Sequence, residues 1–154
     1  MIFIIAYGNP LRRDDGAGML LAEQLEQLWT ANGTEVELLT VHQLTPELAD
    51  EMTRDEFRAI IFVDSRALVF DDEPAVIQLQ SVNSDDASPH LGHYMSPATL
   101  LLMAQLMYGV RLPAWLITVP GVDFRHGEGV SQTVQKALNH IPAEVVHLNE
   151  RINE

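Results

Sequence analysis

Two adjacent carboxylates in the first loop of the chain are the first candidates for chemistry. Asp14 and Asp15 follow the turn signal Gly8-Asn9-Pro10 and directly precede a predicted helix. One aspartate in that place needs no function, because it can cap the helix and contribute about 0.5–2 kcal/mol. Only one of the two can be the cap, so the other carboxylate is available to bind a cation. The loop lacks the glycine patterns of nucleotide-binding proteins, and acids at this point repel phosphate.

A third carboxylate follows a buried strand. Asp64 comes directly after the apolar run 60–63, and an aspartate there often only forms a turn. In parallel sheets, however, the functional crevice lies at the carboxyl ends of the strands. We therefore expect Asp64 to lie beside the first loop if the two strands are neighbours. The sequence Asp64-Ser65-Arg66 lacks the second aspartate that a phosphotransferase would carry.

Two histidines precede a later helix and could supply nitrogen ligands. His90 and His93 lie three residues apart, shortly before Ser96-Pro97. An imidazole together with Asp15 and Asp64 would form an Asp/Asp/His set, which suits a divalent transition metal such as zinc, nickel, cobalt or manganese. Spacing alone does not define this site, because the groups are far apart in the chain. Three other histidines are interpreted as solvent-facing, without a role: His42, His140 and His147.

Alternating strands and helices must position these residues. Apolar runs predict buried strands at 2–7, 59–63 and 114–119. The pattern also predicts a second strand at 36–41 and a half-exposed edge strand at 75–80. Helical spacing and caps predict helices at 17–29, after Thr45-Pro46, at 97–108, at 131–141 and at 142–152. The pattern indicates an α/β fold, a three-layer α/β/α sandwich around a mostly parallel, twisted sheet of about five strands. The loops to inspect are 8–16, 64–73, 120–130 and the one before Ser96.

Composition excludes several classes of protein. The 154 residues predict one domain, 1–154, and the absence of cysteine excludes disulfides, thiolate metal sites and a cysteine nucleophile. With 9 basic and 22 acidic side chains the net charge is −13, which disfavours nucleic acid and anionic membranes as partners. No apolar run reaches the ~20 residues of a membrane span, and the first residues do not form a secretory signal. We expect a cytoplasmic monomer.

The order of the motifs resembles the hydrogenase maturation proteases, endopeptidases that trim a C-terminal extension from the large subunit of nickel–iron hydrogenases. The resemblance covers residues 1 to about 140 and also includes His93 four residues before Pro97. The other motifs that carry it are Gly8-Asn9, Asp14-Asp15-Gly16-Ala17-Gly18, Val63-Asp64, Tyr108-Gly109, and the segments 114–121 and 124–131.

The resemblance implies a site and an activity. An acid in the first loop, an acid after a central strand and a histidine bind the metal in that family. These positions fall on Asp15, Asp64 and His93, with His90 as the alternative histidine, and the same residues would be catalytic. The remaining acid, Asp14, would be the helix cap or would orient a ligand.

The resemblance also implies a substrate. We expect a metal-dependent, aspartic-type endopeptidase that acts on a nickel–iron hydrogenase large-subunit precursor after nickel insertion. Nickel would be carried by the substrate, and a surrogate such as zinc or cadmium could occupy the site. Two alternatives stay open: a zinc-dependent peptidase with a resident metal, and a non-catalytic module that binds a metal-bearing partner.

Overall fold

A five-stranded sheet is the central element of the computed structural model, which describes residues 1–87 and 95–153. The strands lie in the order β2-β1-β3-β5-β4, and all neighbours are parallel except β4, which pairs antiparallel with β5 at one edge. The predicted mostly parallel sheet is therefore confirmed. Its strands are β1 (Ile2–Tyr7), β2 (Val36–Val41), β3 (Ala59–Ala67), β4 (Gln78–Val82) and β5 (Ala114–Gly121).

Helices cover both faces of the sheet and complete the predicted three layers. The helices are α1 (Ala17–Ala31), α2 (Leu48–Glu51), α3 (Pro97–Tyr108), α4 (Gln132–Leu138), α5 (Ala143–Val146) and α6 (Leu148–Asn153). One core cluster joins α1, α4, α5 and α6 to the sheet, and a second joins α2 and α3 to its other face. Side chains of β1 alternate between the clusters, since Ile2 and Ile4 lie in the first and Phe3 and Ile5 in the second. Within the described ranges, no helix is long and apolar enough to cross a membrane.

Local sequence signals predict the start of α3 correctly but not the start of α1. The start and end of α3 are as predicted: the Ser96 hydroxyl accepts a hydrogen bond from the Thr99 amide at 3.1 Å, and Gly109 ends the helix with φ 69°. The start of α1 is different. A turn of 3₁₀ helix over Arg13–Gly16 precedes it, its N-cap is Gly16, and no side chain caps it. The expectation that Asp14 or Asp15 caps this helix is therefore wrong, because both carboxylates accept hydrogen bonds from other groups.

Strand β3 is longer than the sequence predicts. It continues past Asp64 to Ala67, because β5 runs beside it as far as Gly121 and supplies pairing partners. The predicted edge strand at 75–80 is displaced to Gln78–Val82, and the predicted C-terminal helix divides into α5 and α6. Asp64 consequently lies within a paired strand and not in a loose turn, which holds its backbone firmly.

Helix α1 approaches β3 closely at the point where Asp64 lies. A Cβ atom at Gly18 would stand 2.9 Å from the Asp64 Cα and 3.0 Å from both the Asp64 nitrogen and the Val63 oxygen. All three atoms belong to the backbone of a central strand, so moving them would cost considerable free energy. Gly18 thus sets the distance between the first helix and the strand that carries Asp64.

Gly18→Ala should therefore destabilise the protein, although the same change in a helix ordinarily stabilises it by up to about 1 kcal/mol. We expect a net loss of about 1–2 kcal/mol in the free energy of unfolding, measured with urea, because overpacking costs about 1–3 kcal/mol. Gly33→Ala is the control. Gly33 has φ 86° and open space around it, so this variant should lose stability without changing the carboxyl ¹³C shift of Asp64. Gly18→Ala should also shift this Asp64 signal, because its Cβ atom would displace the strand backbone at Asp64. A variant as stable as wild type with an unshifted Asp64 signal would contradict the prediction.

Candidate functional site

A cavity of about 380 Å³ lies at the carboxyl ends of β1 and β2, beside Asp64 of β3. Asp15 from the first loop and Asp64 from β3 both line it, as does the start of α3 at Ser96. The two carboxylates meet here because β1 pairs in parallel with β3, so that the residues following Ala6 and Val63 emerge at the same edge of the sheet. The structure thus brings together the two acids that the sequence singles out as candidate ligands.

The first loop folds back so that its own backbone holds Asp15. The Asn9 amide donates a hydrogen bond of 2.7 Å to Asp15 Oδ2. This fold needs glycine at position 8, where φ is 141° and a Cβ atom would lie only 2.0 Å from the Asp15 carbonyl oxygen. The Gly8-Asn9 pair therefore has a physical role, since it positions and orients one carboxylate of the cavity.

Asp64 lies half-buried at the base of the same cavity. Burial raises the pKa of its carboxyl to about 6; the hydrogen bond from the Ser65 amide lowers the pKa, the charge of Asp15 raises it and the hydrogen bond from the Tyr7 hydroxyl lowers it. The Ser65 amide lies 2.7 Å from Asp64 Oδ1. Burial, the charge of Asp64 and the same hydrogen bond together place the pKa of Tyr7 far above its ordinary value, so its hydroxyl remains a donor.

The two carboxylates have no basic partner in the part of the chain that the structure describes. Neither Asp15 nor Asp64 is among the ion pairs formed by residues 1–87 and 95–153. Like charges that share a cavity are stabilised by a shared proton or by a bound cation. The same repulsion contributes to the raised pKa of Asp64, although burial is the larger cause.

Asp14 is buried beside the site and does not line the cavity. Its Oδ2 accepts hydrogen bonds from the Val122 amide at 2.8 Å, the Asp123 amide at 3.0 Å and the Ser131 hydroxyl at 2.7 Å, while Oδ1 accepts one from the Ser131 amide at 2.8 Å. Its own amide donates to the Asp123 carbonyl at 3.0 Å. Asp14 therefore joins the loop after β1 to the loop after β5. It also bonds to Ser131, the N-cap residue of α4.

The predicted histidines fall outside the described residues. This applies both to His93 and to the alternative, His90, so their distance from the carboxylates stays a prediction. Within 1–87 and 95–153, no three histidine, aspartate or glutamate side chains are grouped to hold a metal ion. The described part of the site is accordingly the pair Asp15 and Asp64.

One histidine to which the sequence gives no role lies at the cavity. His42 directly follows β2 and is part of the lining. Its side chain is exposed, as expected, but its place at the cavity was not predicted. The available signal was its place at the end of a strand next to β1, where the Gly8 amide bonds to the Val41 carbonyl at 3.2 Å. His140 and His147 are exposed and lie on or near the C-terminal helices, away from the cavity lining.

The described chain has the fold of the hydrogenase maturation proteases, which confirms the resemblance at the level of the fold. It is similar to the [NiFe] hydrogenase maturation protease HybD from Thermococcus kodakarensis, with a TM-score of 0.64 and 18% identity over 99% of both chains. It is also similar to the maturation protease HycI from Thermococcus kodakarensis KOD1, with a TM-score of 0.67 and 16% identity over 99% of this chain and 92% of that one.

A third similar structure is the hydrogenase maturating endopeptidase HybD from E. coli. Its TM-score is 0.64 at 19% identity, over 90% of this chain and 85% of that one. No protein-family profile and no curated protein sequence matches the chain. At these identities the likeness establishes the fold, and the chemistry of the cavity has to indicate the activity.

Asp14→Asn should destabilise the protein by about 2–4 kcal/mol, since one amide cannot accept all four hydrogen bonds. Burial would raise the pKa of Asp14, but the hydrogen bonds from Ser131, Val122 and Asp123 outweigh it and hold the pKa below the ordinary 3.8. The carboxylate therefore stabilises the fold above about pH 4, and this contribution is lost as the pH falls through the lowered pKa. Urea unfolding between pH 2.5 and 7 should show the two proteins converging at the acid end.

Asp64→Asn should have the opposite effect and stabilise the protein at pH 7 by about 1–3 kcal/mol. The pKa of Asp64 is raised from 3.8 to about 6 in the folded protein, so the native state binds more protons and loses stability as the pH rises between these values. The same urea series should show the gain appear above pH 4 and level off above pH 6 to 7. A loss of stability at pH 7 would show that Asp64 is a structural acceptor like Asp14.

Proposed function

We propose that this protein is the endopeptidase that removes the C-terminal extension of a nickel–iron hydrogenase large-subunit precursor after nickel insertion. The observation that carries the proposal is the convergence of Asp15 and Asp64 on one cavity, in a chain with the fold of the maturation proteases. Two carboxylates without a basic partner among the described residues can bind a cation. The cation that distinguishes a precursor after metal insertion is its nickel.

The donor chemistry of the cavity supports recognition of a metal that belongs to the substrate. Asp15 and Asp64 provide oxygen, and His93, or His90 in its place, would provide the nitrogen that nickel favours. A set of only three such ligands leaves coordination positions open for the precursor's own groups. Because Asp64 must lose its proton to bind a metal, binding should weaken as the pH falls through about 6.

The surroundings of the cavity support a protein substrate. Large apolar side chains are exposed on loops at this end of the sheet: Leu11 at 57% after β1, Val69 at 73% and Phe70 at 67% after β3, and Val122 at 52% after β5. Exposed apolar groups gathered near a polar cavity are typical of a surface that binds another protein. The proposed substrate would cover these side chains while its C-terminal segment enters the cavity.

The test is to mix the protein with the large-subunit precursor, loaded with nickel or free of nickel, and follow the subunit mass. Loss of a C-terminal peptide only from the nickel-loaded precursor is the expected result. Cleavage of the nickel-free precursor or of unrelated peptides would support a general peptidase with a resident metal such as zinc. Binding without cleavage under either condition would support a non-catalytic module.

Variants of the proposed ligands identify the site in the same assay. Asp15→Asn, Asp64→Asn and His93→Ala should each lower the cleavage rate at least 100-fold while the urea midpoint shows a folded protein. His147→Ala is the matched control, because His147 is exposed on the far helices and should leave the rate unchanged. Full activity of His93→Ala together with an inactive His90→Ala would assign the ligand to His90.

A further inference from the structure

Arg12 brings a positive charge to the cavity that Asp15 and Asp64 share. It lines this cavity, and its Nε donates a hydrogen bond of 3.2 Å to the carbonyl oxygen of Phe124. The side chain is exposed. A guanidinium carries five N–H donors in a planar fork, so the bond to Phe124 uses one and leaves four for another acceptor. Within the described ranges, Arg12 forms no ion pair with either carboxylate. Its guanidinium can therefore interact with another negatively charged group.

Two loops hold the backbone at Arg12 in place. The Gly127 amide donates to the Leu11 carbonyl at 2.8 Å, the Arg13 amide donates to the Gly127 carbonyl at 3.2 Å, and the Arg12 amide donates to the Asn9 carbonyl at 3.0 Å. Arg13 itself adopts a left-handed backbone with φ 48°, which is unfavourable for a residue other than glycine. The strained residue thus lies directly beside Arg12, and the hydrogen bonds between the two loops hold the backbone there.

We infer that Arg12 is a catalytic residue that binds the scissile carbonyl oxygen and stabilises the negative charge that forms on it. The inference rests on the proposed peptidase function. In that reaction the oxygen of a water molecule bonds to the carbonyl carbon, and the carbonyl electron pair moves to the oxygen that Arg12 holds. The electron pair then returns from that oxygen to re-form the carbonyl, and the carbon–nitrogen bond breaks. The proton released by the water ends on the departing amine, and the products are a carboxylic acid and an amine.

The charges of the cavity favour such a group. The carboxylates of Asp15 and Asp64 oppose an oxyanion on the substrate, and the proposed nickel would offset their charge without donating a hydrogen bond to that oxygen. Arg12 is the one arginine or lysine among the lining residues of the described structure. The bond to Phe124 restrains its guanidinium, and a donor that needs less reorganisation stabilises developing charge better.

The test is single-turnover cleavage of nickel-loaded precursor by wild type, Arg12→Gln and Arg12→Lys. Loss of an oxyanion donor lowers the maximal rate about 100- to 1000-fold, and we expect this for Arg12→Gln with less than a threefold change in the half-saturating precursor concentration. Arg12→Lys keeps the charge but loses the fork, so its rate should lie between the other two. Arg111→Gln is the control, because it removes the same charge near the opposite end of β5.

A chemical rescue separates this role from a structural one. Millimolar guanidinium chloride, well below denaturing concentrations, should restore part of the maximal rate to Arg12→Ala and leave wild type unchanged. An unchanged maximal rate in Arg12→Gln would overturn the inference and leave the proposed function intact. A higher half-saturating concentration at an unchanged maximal rate would also overturn it, since Arg12 would then only bind the precursor. If wild type does not cleave the precursor at all, the proposed function fails and the inference fails with it.

Discussion

The carboxylate of Asp14 accepts four hydrogen bonds in a fully buried position, and the end of the sheet that carries the cavity is organised around it. A buried charge without partners would cost several kcal/mol, whereas four donors make it a strong connection between two loops. One loop follows β1 and the other follows β5, so residues more than 100 positions apart in the chain are held together. This connection fixes the first loop against the loop after β5 at Asp14.

Adjacent residues of that loop have different environments as a result. Asp14 faces the loop after β5, where donors lower its pKa, while Asp15 faces the cavity and is held by the Asn9 amide. Arg12 also lines the cavity, because the same two loops bond on either side of it. A short polar segment therefore supplies one structural carboxylate and, to the cavity, one further carboxylate and one positive charge.

Asp64 shows what it costs to bury a carboxylate beside another one. Burial and the charge of Asp15 disfavour its ionised form, and two hydrogen bonds only partly compensate. Asp14, with twice as many donors, shows the reverse balance. Asp14 therefore stabilises the fold, whereas the ionised form of Asp64 lowers its stability. A group that is held at the expense of stability is typical of functional positions.

Local signals in the sequence determined β1, β2 and the capped helix α3, because apolar runs, a serine cap and a terminal glycine act within a few residues. They also placed Asp15 in the loop after β1 and Asp64 directly after an apolar run of β3, from which their convergence follows once the two strands are neighbours. Only the tertiary structure decided the role of Asp14, the extension of β3 and the presence of Arg12 and His42 at the cavity. The partners that decide these features belong to other strands and loops, and no pattern within a short segment of the chain records them.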